Sequence, residues 1–148
     1  PGGRLEERVV EVVEQAGMQE QVMVMSLDRQ AVRRIGQMRP AWKRGLLSTV
    51  SLGNLTRLDV GVLGLNARSA SRKVLREAER RGIDVHVWTV NDPLEMADGI
   101  GRGVDGLITD KPALAREVIE EMDESGPGGR LILEVAGRLG KRPPVKDP

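Results

Sequence analysis

Two rhythms of apolar residues alternate along this chain. Over residues 4–16, Leu5, Val9, Val12, Val13 and Ala16 recur at helical spacing, with Glu6, Glu7, Glu11 and Glu14 expected on the wet side and Gly17 as the C-cap. Residues 21–27 (Q-V-M-V-M-S-L) then read as a strand. Asp28 caps a second helix running to about Met38 on the line Ala31, Val32, Ile35 and Met38, closed by Pro40. Residues 44–49 are a short strand, 51–58 a short helix or loop, and 60–65 (V-G-V-L-G-L) a third strand ending at Asn66. A helix over 69–81 turns Ala70, Val74, Leu75 and Ala78 inward and stops at Gly82. Residues 83–90 are the fourth strand, 93–102 a helix capped by Gly103, 104–109 the fifth strand, and 112–122 the last core helix.

Strands of about five residues thus alternate with helices across short loops, the signature of right-handed βαβ units on a parallel sheet. The fold class is α/β, with about five parallel strands. The strands are near-continuous apolar runs, which predicts that both faces of the sheet are covered. In the fourth strand Val85, Val87 and Thr89 are expected on one face, and His86, Trp88 and Val90 on the other. Asn91, Asp92 and Pro93 stop it and start the next helix. After residue 122 the chain changes character. A flexible linker at 124–129 precedes a short amphipathic helix at 130–139 and a disordered, basic, Pro-rich tail. The P-G-G-R-L of residues 1–5 recurs at 127–131, a chance match in a Gly- and Arg-rich chain.

Composition narrows the chemistry. The formal net charge is +1 over 148 residues, so no global field draws in nucleic acid. The local clusters Arg39, Lys43, Arg44 and Arg76, Arg80, Arg81 read as solvated faces. The chain has no cysteine, which removes disulfides and thiolate metal sites and fits a cytoplasmic location. No apolar run reaches the roughly 20 residues of a membrane span, and no signal peptide is read. Pro1 at the start suggests a removed initiator or a longer parent chain. With two Trp and no Phe or Tyr, the core must be built from Val, Leu, Ile, Met and Ala, and a retained Trp invites a functional reading beside the plain core one.

In a parallel α/β array, binding groups collect beyond the C-terminal strand ends. Here those ends carry Ser26 and Asp28, Ser48 and Thr49, Asn66, Trp88 and Asn91, then Thr109 and Asp110. Asp28, Asp92 and Asp110 equally sit where helix N-caps belong. Ser26, His86 and Asp110 make a triad only on paper, since no Gly-x-Ser-x-Gly elbow exists. The single histidine, His86, is expected to be a buried, hydrogen-bonded core residue. One histidine with scattered aspartates supplies no metal cluster. The glycines of 99–106 run from helix into strand, the wrong order for a dinucleotide fingerprint; Gly103 reads as a helix cap and Gly106 as a tight strand position.

V-H-V-W-T-V-N-D-P at 85–93, followed by G-V-D-G-L-I-T-D-K-P at 103–112, resembles the C-terminal end of the glycerophosphodiester phosphodiesterases. V-M-V-M-S-L-D at 22–28 is similar to that family's strand ending in Ser-Phe-Asp, with Leu27 where Phe is usual. K-R-G-L-L at 43–47 and G-L-N at 64–66 keep the family's order and spacing. The resemblance covers about residues 5–121. It implies a partial TIM-type (β/α) barrel, of which the family's full form has eight strands in about 250 residues. It implies hydrolysis of glycerophosphodiesters to an alcohol and glycerol phosphate, with a histidine pair as general acid and base and a divalent cation, Ca or Mg, held by acidic residues. No His-Arg-Gly occurs here and no Glu-x-Asp follows a predicted strand (the one at 121–123 ends the last core helix), so the resemblance places no catalytic residue and no metal ligand in this chain. It does place a substrate wall: Trp88, Ser26, Leu27 and Asn66. The expected partners follow: a glycerophosphodiester in the complete enzyme, and either the missing N-terminal half or a second copy across the open edges. Two readings stand beside it: a non-enzymatic half-barrel that assembles or binds a ligand, and an unrelated receiver-like α/β domain using Asp28 or Asp110.

Overall fold

The computed structural model describes residues 3–49 and 59–124. The expectations for 51–58 and for the tail beyond 124 lie outside those residues. Helix α1 (Gly3–Gln15) leads into β1 (Met23–Ser26), α2 (Arg29–Met38) and β2 (Lys43–Ser48). Then come β3 (Val62–Asn66), a 3-10 turn (Ala67–Ser69), α3 (Arg72–Glu79), β4 (Asp84–Trp88), α4 (Pro93–Arg102), β5 (Gly106–Leu107) and α5 (Pro112–Glu124). All strand pairings are parallel and the order is β1-β2-β3-β4-β5, so every strand lies beside its sequence neighbour. Among the described residues the sheet is open, with β1 and β5 as its edges. No helix there is long and apolar enough to cross a membrane.

Polar residues set the element ends. The Asp28 carboxylate accepts from Gln30 N at 2.7 Å and caps α2. Asp92 accepts from Leu94 N and Glu95 N at 2.9 and 3.2 Å, with Pro93 at the first helical position of α4. Gly103 closes α4 at φ +87°, a conformation open to glycine at little cost. The helix expected over 69–81 is instead split. Asn66 caps the 3-10 turn, and the Ser71 hydroxyl accepts from Val74 N to start α3.

The register sorts the sheet into two faces. Leu46, Leu63, Leu65, Val85 and Val87 point to the side where α3, α4 and α5 bring Val74, Leu75, Ala78, Met96, Ala97 and Val118. A second cluster ties Val10 of α1 to Ile35 of α2 and to Trp42. Trp42 is therefore a core residue. The opposite face carries Met25, Gly45, Leu47, Gly64, His86, Trp88 and Gly106, and belongs to neither cluster. The expectation that both faces are covered thus fails. One face is buried under helices, and the half-buried side chains of Met25, Leu47, His86 and Trp88 lie along the other.

Helix α1 is rotated from its expected setting. Leu5 is 71% and Val12 53% exposed, and Ala16 is exposed, whereas Val10 and Glu6 are buried. The reason is an ion pair in the α1–α2 seam, Glu6 Oε1 to Arg34 Nη1 at 3.2 Å, beside the Val10–Ile35 contact. Arg44 is also no solvated cation. Its guanidinium lies over Gly36, where a Cβ would come within 1.6 Å of Nη1, and faces Asp59 at 3.5 Å. Arg80 and Arg81 do sit on the wet face, where both pair with Glu77. The Arg81 hydrogen bond, helped by the charges of Arg81, Arg80 and Lys73, holds the Glu77 carboxyl below its ordinary pKa.

Arg39 clamps Glu14 in a two-point bond (2.5 and 2.9 Å) that fastens the end of α1 to the loop after α2. That hydrogen bonding holds the Glu14 carboxyl below its ordinary pKa. A carboxyl depressed in the folded state stabilises above the unfolded value and loses that contribution as pH falls through the folded one. The Tm advantage of the wild type over Glu14→Gln is therefore expected at neutral pH and shrinks as pH drops below the ordinary carboxylate value of about 4.3. Leu63, fully buried in β3, tests the helix-covered core. Leu63→Ala is expected to cost about 2–5 kcal/mol in urea denaturation.

Candidate functional site

Parallel strands deliver all their C-terminal ends to one rim. Leu27 follows β1, Thr49 follows β2, Asn66 ends β3, Trp88 ends β4, and Thr109 and Asp110 follow β5. Asn66 and Trp88 are register partners and so stand side by side on the uncovered face. The Trp88 ring lies over Gly64, where a Cβ would sit 3.3 Å from indole Cδ1. Its indole N–H is buried and has no hydrogen-bond partner among the described residues. The Asn66 side-chain oxygen accepts from Arg68 N at 3.1 Å.

The other two wall residues sit apart from this pair. Ser26 alternates with Met25, so it belongs to the helix side of β1, and its hydroxyl accepts from Asp28 N at 3.0 Å. Leu27, 62% exposed, lies just past the edge strand. It is three strand steps from β4, roughly 14 Å along the sheet at about 4.8 Å per step. The structure therefore brings Trp88 and Asn66 together, and sets Ser26 and Leu27 on the far flank.

His86 is half-buried on the uncovered face and makes no hydrogen bond among the described residues, contrary to the hydrogen-bonded core role expected for it. Its ring lies flat over Gly106, where a Cβ would fall 2.7 Å from Cδ2. Gly106 is thus tight for a stated reason: it makes room for an imidazole. The fourth strand also ends early. Its alternation stops at Trp88, the Trp88–Thr89 peptide is cis, Thr89 is exposed, and Val90 is buried in the helix-side core.

The strongest polar arrangement at the rim is one the candidate site residues left out. Asn91 Oδ1 accepts from Thr109 Oγ1 and from Asp110 N, both at 2.9 Å. Asn91 Nδ2 donates to Asp110 Oδ2 at 2.7 Å, and Thr109 Oγ1 accepts from Lys111 N at 3.0 Å. Val90 N to Ile108 O, 3.0 Å, continues the pairing below. Asp110 is therefore no cap for α5. It is half of a lock between the loops after β4 and β5. The signal was present in the sequence as the pair T-V-N and I-T-D, whose members bond one another across eighteen to nineteen residues.

Among the described residues no group of three His, Asp or Glu side chains comes together, so those residues do not fit a divalent cation. The receiver-like reading also lapses here, because Asp28 is spent as a helix cap and Asp110 on Asn91.

An open run of βα units with a binding rim at its strand ends defines part of a (β/α) barrel. The sequence profile of the Glycerophosphoryl diester phosphodiesterase family matches residues 4–114, and the chain belongs to that family. It is 25% identical over 112 residues to a glycerophosphodiester phosphodiesterase of Caldanaerobacter subterraneus, an alignment covering 73% of this chain and 46% of that one. Solved structures agree in fold. A glycerophosphodiester phosphodiesterase from Parabacteroides distasonis superposes with a TM-score of 0.71 at 21% identity, over 78% of this chain and 50% of that one. An Oleispira antarctica phosphodiesterase in complex with the product sn-glycerol-3-phosphate gives 0.68 at 19%, over 81% and 52%. The chain spans about half the length of the curated relatives it matches.

The lock makes a prediction of its own. Asn91→Asp keeps the oxygen that Thr109 and Asp110 N bond to, but sets a second carboxylate against Asp110. It is expected to lower stability by about 1–3 kcal/mol at neutral pH. Part of the loss returns as the pair takes up a proton on acidification, read as Tm against pH.

Proposed function

We propose that this chain supplies one side of a glycerophosphodiester-hydrolysing site: the substrate wall at the strand ends, with the acid–base histidines and cation ligands carried outside these residues. The observation that supports it most is the side-by-side placement of Trp88 and Asn66 at the rim of a family barrel. The indole offers a flat apolar surface to the C–H edges of a glycerol or alcohol group. The Asn66 amide offers a donor to a hydroxyl or phosphate oxygen. Leu27, just past β1, closes the flank, while Ser26 holds the turn that leads from it into α2. The Asn91 lock ties the loop that follows Trp88 to the loop after β5, so the ring meets substrate from a set position. The family is generally metal-dependent, and Ca or Mg is the cation this reading takes.

The 148 residues alone are expected to release no glycerol phosphate from a glycerophosphodiester with Mg or Ca present. Turnover by that chain would overturn the division of roles. Joined to the part of the Caldanaerobacter enzyme that it does not match, the chain is expected to turn over. In that chimera Trp88→Ala is expected to raise KM about tenfold with a smaller change in kcat, as for a group that binds substrate and transition state alike.

A further inference from the structure

A groove of about 600 Å³ runs between α3 and α4 and opens at the N-terminal ends of β4 and β5, the end of the sheet opposite Trp88. In (β/α) folds that end is ordinarily given to stability, and two of the lining residues serve it. Arg102 pairs with Asp98 at 2.8 Å and donates to the carbonyls of Ala70 and Ala67 at 2.8 and 3.3 Å, which straps the end of α4 to the head of α3. Asp105 accepts from Val85 N at 2.7 Å and steadies the start of β4.

Three other charged lining residues have no such use. The side chains of Arg76, Glu79 and Asp84 make no hydrogen bond or ion pair among the described residues. Arg76 and Glu79 stand three apart on α3, within ordinary reach of each other, and stay apart. On the same helix Glu77 takes both Arg80 and Arg81. The charges are also sorted along the groove. Arg72 and Arg76 occupy successive turns at one end, and Glu79, Asp84 and Asp105 gather toward the other, roughly 5–10 Å away at about 1.5 Å per helical residue.

Glycine keeps the groove open. A Cβ at Gly82, Gly101 or Gly103 would meet nothing within 4 Å. Gly82 and Gly103 have φ +64° and +87°, which their turns demand. Gly101 has no such reason: it lies within the last turn of α4, where alanine would hold the helix better.

We infer that this groove binds a small zwitterion, an amino-alcohol phosphate, with its phosphate against Arg72 and Arg76 and its ammonium against Glu79 and Asp84. Two guanidinium forks match the charge of about −1.5 to −2 on a phosphate monoester. The carboxylates take the ammonium and repel a polyanion such as a nucleic acid. A metal ion is not their ligand, because no three acidic side chains among the described residues come together. The inference stands apart from the phosphodiesterase reading, since binding is read without turnover: a chain that binds and never turns over leaves it intact.

The test titrates phosphoethanolamine into the 148-residue chain by calorimetry, with phosphorus NMR line broadening as a second readout. Saturable one-to-one binding is expected, with inorganic phosphate and ethanolamine each at least tenfold weaker. Arg76→Gln and Asp84→Asn, both at exposed side chains, should each weaken it at least tenfold and leave the far-ultraviolet circular dichroism unchanged. Gly101→Leu, which sends a side chain into the groove, should abolish binding, while Gly101→Ala should keep it and raise Tm. Absence of saturation overturns the proposal. So does phosphate binding as tightly as phosphoethanolamine with Asp84→Asn silent, the mark of a plain anion site. Binding indifferent to Gly101→Leu overturns it too, by putting the ligand elsewhere.

Discussion

The row Leu46, Leu63, Leu65, Val85 and Val87, pressed under helices α3 to α5, is the contact on which the rest depends. Each strand is only two to six residues long, and parallel pairing offers no short hairpin to hold neighbours in register. Register comes instead from which side chains reach the helices. A slip of one residue would turn Leu63 and Leu65 away from α3 and bring Gly64 into the core. Once this row is seated, the strand ends arrive together at one rim, and Trp88 comes to lie beside Asn66.

Much of this was legible in the sequence, because helix punctuation is local. Asp28, Asp92 with Pro93, and Gly103 act where their chemistry says they should, and the βα alternation follows from them. What was not legible depends on partners distant in sequence. The same α1 pattern fits two settings a small rotation apart, and one is selected by partners distant in sequence: the Glu6–Arg34 pair across twenty-eight residues, the Val10–Ile35 contact and the Arg39–Glu14 clamp. Continuous apolar strands implied two covered faces, but apolar content does not reveal what covers a face. His86 could not be placed without knowing that Gly106 lies beside it in the register.

The candidate site shows the same division. Trp88 and Asn66 were identifiable as strand-end residues, and the register makes them neighbours. Asn91, Thr109 and Asp110 each looked like ordinary turn chemistry. Their value lies in being bonded to one another, which explains why the two motifs that carry the family resemblance occur as a pair. Such a lock needs no contact with substrate to influence it, since one of the loops it joins runs directly on from the aromatic wall.

The sheet order β1-β2-β3-β4-β5 has a consequence for how the chain is made. Every pairing joins segments close in sequence, so loop closure between strands is short throughout. A chain emerging from the ribosome can add each new unit to an edge already formed, as repeat arrays do, without waiting for a remote segment. The last closure, between the first and final strands of a full ring, is the one long-range step such a fold requires. In these residues that step is the one left to be made.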